Sequence, residues 1–142
     1  ADKYKIASTV FSATSYQELR RDCIECERWN RLHPGEAPRV SHVGKMLGAT
    51  KGPIIASSDY MRALPEQIAT YTEGRLLALG TDGFGRSETR QALRRFFEVD
   101  AESIVVATLY ALAERKEIEI GVVKQAIKDL GLNAEAPAPW TV

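Results

Sequence analysis

Residues 76–88, Leu76-Leu77-Ala78-Leu79-Gly80-Thr81-Asp82-Gly83-Phe84-Gly85-Arg86-Ser87-Glu88, carry the architecture of this chain. An apolar run stops at Gly80, three glycines fall within six residues, and residues 88–97 after Ser87 take up helical spacing. Strand, tight loop and helix in that order form the repeating unit of an α/β protein. Glycine permits positive φ and close backbone approach, and a helix start presents unpaired N–H groups to an anion. The loop therefore has two readings. One is an anion cradle, with N–H groups around Gly83 to Ser87, Arg86 as a bidentate partner and Ser87 as hydroxyl donor and cap. The other is a tight βα turn in which Ser87 only caps the helix. Neither the dinucleotide fingerprint nor the Lys-Ser/Thr pair of a phosphate-binding P-loop is present.

Outward from that loop, the composition fits a single globular domain. The 142 residues are 44% hydrophobic and 27% charged, with 19 basic and 19 acidic side chains and a formal net charge of +0. Such a chain is long enough to bury a core. The balance gives no electrostatic case for nucleic acid or acidic lipid. No apolar run approaches the ~18 residues of a membrane span, and residues 1–5 hold no hydrophobic region of signal-peptide length. Two cysteines make no disulfide framework, which fits a reducing cytoplasm.

The remaining segments alternate. Residues 5–12 (KIASTVFS) are β-branched and apolar and predict a first strand. Ser15 and Glu18 have capping-box spacing, opening a helix that runs to Leu32 and stops before Pro34-Gly35. Residues 33–40 carry two prolines and predict an extended surface crossing; residues 41–47 predict a short helix ending at Gly48. Residues 53–57 (PIIAS) form a second strand. Ser58 or Asp59 then caps a helix bearing Tyr60, Leu64, Ile68 and Tyr71, kinked or begun at Pro65. Residues 75–79 are the third strand. Asp100 caps a helix over 101–116 that buries Ile104, Val105, Leu109 and Leu112, and a last helix over 120–130 stops at Gly131. Residues 1–132 are expected to form the domain, with 133–142 an Ala/Pro-rich tail that is poorly ordered unless Trp140 docks. Three strands alternating with helices imply right-handed crossovers and a mostly parallel sheet with flanking helices. Three strands make a thin sheet.

Other candidate sites are weaker. Cys23-Ile24-Glu25-Cys26 lies about two turns inside a helix, away from the N-terminal dipole that activates redox thiols, so structural thiols are expected. His33 and His42 could complete a zinc site by count, but the spacing is unlike a common finger. No G-x-S-x-G motif supplies a nucleophilic serine. The residues alone single out no catalytic group and no metal ligand.

Four motifs nevertheless occur in order: Cys26-Glu27-Arg28-Trp29-Asn30-Arg31-Leu32-His33-Pro34, then Ser57-Ser58-Asp59-Tyr60-Met61, then the glycine loop, then Phe97-Glu98-Val99-Asp100-Ala101. With them the chain, from about Ile6 to Leu132, closely resembles the C-terminal domain of the homodimeric bacterial pyruvate dehydrogenases. These are thiamine-diphosphate-dependent enzymes of the transketolase superfamily. The glycine-loop motif alone would point only to the superfamily.

The resemblance implies an oxidoreductase of pyruvate metabolism, downstream of glycolysis and cytoplasmic in bacteria. The parent enzyme decarboxylates pyruvate on thiamine diphosphate, held with magnesium, and passes the acetyl unit to a lipoyl group on an acyltransferase component. Cofactor and metal belong to the two preceding domains, so no cofactor is expected on this chain and no catalytic residue is carried over. Without those domains the isolated chain is expected to be inactive; the domain it resembles also opens with another strand and helix, which this sequence lacks, so the chain is expected to be less stable or self-associated. Its expected role is structural, supporting the homodimer.

The candidate loop comprises Gly80, Thr81, Asp82, Gly83, Phe84, Gly85, Arg86 and Ser87. Asp82 is expected to fix it by accepting backbone N–H bonds, Phe84 to meet a neighbouring domain, and Arg86 to face an anion or a carboxylate. Two alternatives stand beside this one. The first is an interaction module docking the acyltransferase through Trp29, Arg31 and His33, since exposed Trp and Arg favour hot spots. The second is an autonomous small-anion-binding α/β domain.

Overall fold

The computed structural model describes residues 3–142. The order of elements is α1 (Tyr16–Leu32), α2 (His42–Leu47), β1 (Ile54–Ser57), α3 (Ala63–Glu66), a 3-10 turn (Ala69–Thr72), β2 (Leu76–Leu79), α4 (Arg90–Phe96), α5 (Ala101–Glu114), α6 (Ile120–Asp129) and a final 3-10 turn (Pro139–Thr141). The fold is α/β. Strands β1 and β2 pair in parallel, from Ile54 opposite Leu76 to Ser57 opposite Leu79, and helices flank them.

Local chemistry sets most boundaries. The Ser15 hydroxyl accepts the Glu18 N–H at 3.2 Å, Ser41 accepts Gly44 N–H at 3.1 Å, and Asp100 accepts Ser103 N–H at 2.9 Å, each satisfying an orphan donor of a first turn. One cluster gathers Cys23 of α1, Val43 of α2 and Ile68, with Tyr16, Leu19 and Leu76 against it. Another gathers Leu109 of α5 with Val123 and Ala126 of α6. Helix α5 also lies along both strands. Ile104 and Val105 are half-buried rather than buried, while Leu109 and Leu112 are inside as expected. Arg75, with only 9% of its side chain exposed, ties the entry of β2 to its surroundings. Its guanidinium donates to the carbonyls of Leu47, Gly52 and Thr72 at 3.1, 3.0 and 3.2 Å.

Three expectations are corrected. Residues 5–12 form no strand, so the sheet has two strands among the described residues, not three. β-Branched composition gives a strand only where a neighbouring ladder accepts it. Here Tyr4 and Ile6 instead pack on the α5–α6 cluster, Lys3 pairs with Asp129 at 2.9 Å, and residues 7–14 run exposed. The helix expected after β1 is broken into α3 and the 3-10 turn, and neither Ser58 nor Asp59 caps it. The backbone of residues 59–62 bonds the glycine loop instead of starting a helix. Finally, Ser87 is not a helix cap. Helix α4 begins at Arg90, and the Thr89 hydroxyl accepts Ala92 N–H at 3.3 Å.

Candidate functional site

The glycine loop leaves the carboxyl end of β2 and is stitched at once to the segment that follows β1. A Cβ on Gly80 would lie 2.5 Å from the Arg62 nitrogen and 2.6 Å from the Tyr60 carbonyl oxygen, so two backbones meet where only glycine fits. Thr81 then donates its N–H to the Tyr60 carbonyl at 3.0 Å and its hydroxyl to the Asp59 carbonyl at 2.8 Å. The Asp82 carboxylate accepts the Arg62 N–H at 3.0 Å and stands 3.3 Å from its guanidinium. Arg62 therefore begins α3 with its orphan donor satisfied from across the loop.

The tail closes the other side. Gly83, at φ +113°, brings its backbone so near that a Cβ would lie 2.7 Å from the Pro139 carbonyl. Pro139 is buried, and the Trp140 ring lies under the Arg62 guanidinium at 4.8 Å. Beyond Gly83 the loop faces solvent. Phe84 is 78% exposed, and the Arg86 guanidinium rests over the Phe96 ring at 4.2 Å. Tyr60 and Met61, next to the loop, are exposed as well. The result is a rigid platform whose outer face carries large apolar side chains and a positioned arginine. Its tail anchor at Pro139–Trp140 has no sequence signal beyond the isolated tryptophan.

The other candidate surface is rearranged. The Trp29 and His33 rings stack at 4.3 Å, and the Arg39 guanidinium covers the free face of Trp29 at 4.2 Å. Asn30 holds the Arg39 backbone through both its amide oxygen and nitrogen, at 2.7 and 3.0 Å. This stack fastens the proline-rich crossing to α1. Arg31 stands apart and pairs with Glu27 at 3.6 Å. Arg39 was invisible to sequence reading, because nothing in a Pro-flanked extended segment marks the side chain that folds back.

The thiols and histidines make no reactive cluster. Cys23 is in the core, where burial pushes its thiol above its ordinary value against the opposing effect of a Ser41 hydrogen bond. The His42 backbone N–H donates to the Asp22 carboxylate at 2.6 Å. Among the described residues no three His, Cys, Asp or Glu side chains come together as a metal site, and no helix is long and apolar enough to cross a membrane.

Residues 1–100 match the family model of the transketolase-like C-terminal domain. This chain is a member of that family. Over 137 residues it is 49% identical to the pyruvate dehydrogenase E1 component of Pseudomonas aeruginosa, covering 96% of this chain and 16% of that protein. The same component of Escherichia coli K12 is 46% identical over 140 residues, covering 98% and 16%. That of Mycobacterium tuberculosis is 45% identical over 139 residues, covering 98% and 15%. The chain spans about 16% of the length of the curated relatives it matches. In this transketolase-like C-terminal domain, the motifs that carried the resemblance fall on α1, on the end of β1, on the glycine loop and at the α4–α5 corner.

Proposed function

We propose that this chain is the C-terminal domain of a bacterial pyruvate dehydrogenase first component, and that its own role is structural. The observation that carries the proposal is the 49% identity over 96% of the chain. In this reading the parent enzyme decarboxylates pyruvate on thiamine diphosphate and magnesium, and passes acetyl to a lipoyl group of an acyltransferase in the bacterial cytoplasm. The described residues gather no three carboxylate, imidazole or thiolate side chains that could hold the metal, and in this reading cofactor and metal belong to the preceding domains. No step of the reaction is assigned to this chain, and the isolated chain is inactive. Residues 1–132 act as the domain body and 133–142 as a strap across the loop.

Two further features support a docked role. A monomeric protein of 15.7 kDa exposes roughly 7,300 Å², whereas this chain exposes 9995 Å². Around the glycine loop Tyr60, Phe84 and Trp140 are 70%, 78% and 50% exposed. A cluster of this kind marks an interface. Phe84 accordingly faces the rest of the enzyme or its second subunit in the homodimer.

A chimera tests the proposal. This chain replaces the matching 137-residue stretch of the Pseudomonas aeruginosa enzyme, and dimerisation and pyruvate-dependent acetyl transfer are measured. Retention of both is expected. A folded, dimeric but inactive chimera overturns the shared function, and a chimera that cannot dimerise overturns the dimer-supporting role. Capture of the acyltransferase's subunit-binding segment by the isolated chain would favour the docking alternative. The stack that occupies Trp29 and His33 leaves that alternative with Arg31 as its exposed anchor.

A further inference from the structure

Beside the loop lies a cavity of about 500 Å³, within the size range of small-molecule sites. It sits beyond the carboxyl ends of β1 and β2, where open α/β sheets place their ligands. Its inner wall is apolar, built from Leu93, Phe97 and the buried Val99. Three arginines, Arg86, Arg90 and Arg94, belong to the same lining.

Their charge is poorly answered from within the chain. Arg95, on the same helix, is neutralised by Asp100 at 2.9 Å and Glu102 at 3.6 Å. The three cavity arginines differ from it. Arg94 reaches only Asp59, at 3.9 Å, and that carboxylate is 75% exposed, a geometry of little strength in water. Arg86 is held by the Phe96 ring rather than by an acid. Arg90 has no ion pair or hydrogen-bond partner among the described residues. Glu88 is the one other carboxylate in the lining, leaving an excess of one positive charge. The N–H groups of residues 83–87 donate to no backbone carbonyl among the described residues. The lining thus combines three arginines with an apolar wall of Leu93, Phe97 and Val99.

We propose that this cavity binds a small organic anion: an oxyanion head, carboxylate or phosphate ester, on an aromatic or aliphatic body. The head lies among the arginines, where charge-assisted bonds are strongest, and the body covers Leu93 and Phe97. Inorganic phosphate leaves that floor wet, and a neutral aromatic leaves the arginines unanswered. The site belongs to the surface of this chain and goes beyond the role in the parent enzyme.

The test is titration of the 142-residue chain with phenyl phosphate, benzoate, inorganic phosphate and benzyl alcohol, followed by calorimetry and by amide chemical shifts. Saturable binding of phenyl phosphate or benzoate, with shifts confined to residues 81–97, is expected, and the tighter of the two identifies the head group. Inorganic phosphate and benzyl alcohol bind at least about tenfold more weakly. Arg90→Gln weakens binding by about tenfold, the scale of one hydrogen bond to a charged group, and Lys128→Gln leaves it unchanged. Arg90 is exposed, so its replacement should leave the fold intact, which circular dichroism checks. Three results overturn the proposal: no saturation by either organic anion, equal affinity for inorganic phosphate, or binding indifferent to Arg90→Gln. Each is independent of the chimera, which reads parentage and dimerisation.

Discussion

Replacing Gly80 by alanine strikes the junction on which the platform depends. The new methyl would lie 2.5 Å from the Arg62 nitrogen, 2.6 Å from the Tyr60 oxygen and 2.9 Å from the Met61 carbonyl carbon. All three are backbone atoms, so no side chain can swing away to make room. The loop must part from residues 60–62, which strains or breaks three hydrogen bonds, from Thr81 to Tyr60, from Thr81 to Asp59 and from Arg62 to Asp82. At about 1 kcal/mol net for each bond, the loss comes to about 2–4 kcal/mol. For a domain of this size that lowers the melting temperature by about 6–12 °C. Gly85→Ala is the matched control, because a Cβ there meets nothing within 4 Å and the cost should stay within about 0.5 kcal/mol. Urea unfolding of the two variants beside the parent chain measures the difference. A Gly80→Ala loss below about 1 kcal/mol, or equal losses at the two positions, would refute the reasoning.

Leu109, 1% exposed between α5 and α6, should cost about 2–5 kcal/mol when cut back to alanine, read by the same urea titration. Asp129 is held below its ordinary value of 3.8, chiefly by its hydrogen bond from Lys3. A lowered folded value means that the stabilisation is complete above 3.8 and is lost as the pH falls through the lower folded value. Lys3 is raised above 10.5 by the same bond, so the tether also loosens as the pH climbs through that higher value. Protection of the Tyr4 and Lys5 amides, taken relative to the intrinsic exchange rate at each pH, should be highest between those limits; a flat protection profile would contradict the pairing. Cys26, half-buried, should react with a thiol reagent in the folded chain, and Cys23 only on unfolding. Equal rates under native conditions would count against the core placement of Cys23.

Elements fixed by near neighbours were legible in the sequence. Ser15, Ser41 and Asp100 announce α1, α2 and α5, because a cap and the N–H it accepts lie three residues apart. The runs around Ile54 and Leu77 are apolar enough to be strands in most settings, and they pair as parallel neighbours. What was not legible depends on distant partners. Residues 5–12 have strand composition but find no ladder, and Tyr4 and Ile6 are drawn to α5 and α6. Tyr60, Leu64, Ile68 and Tyr71 share a helical period, yet the backbone before Ala63 is committed to a loop twenty residues later. Ser87 looked like a cap because it follows the glycines, while Thr89, two residues on, has the geometry. Within the candidate site the glycines were readable as a turn. The arginines became a cavity wall only once α4 had been placed beside Asp59 and Val99.

The bond from Arg62 N–H to Asp82 has a mechanical consequence. A four-residue helix whose leading amide is satisfied from the far end of a neighbouring strand has no autonomous existence; excised with its flanks, it would be coil. The glycine turn, α3 and α1 thus form one run of direct contacts, which ends on the helix carrying Trp29.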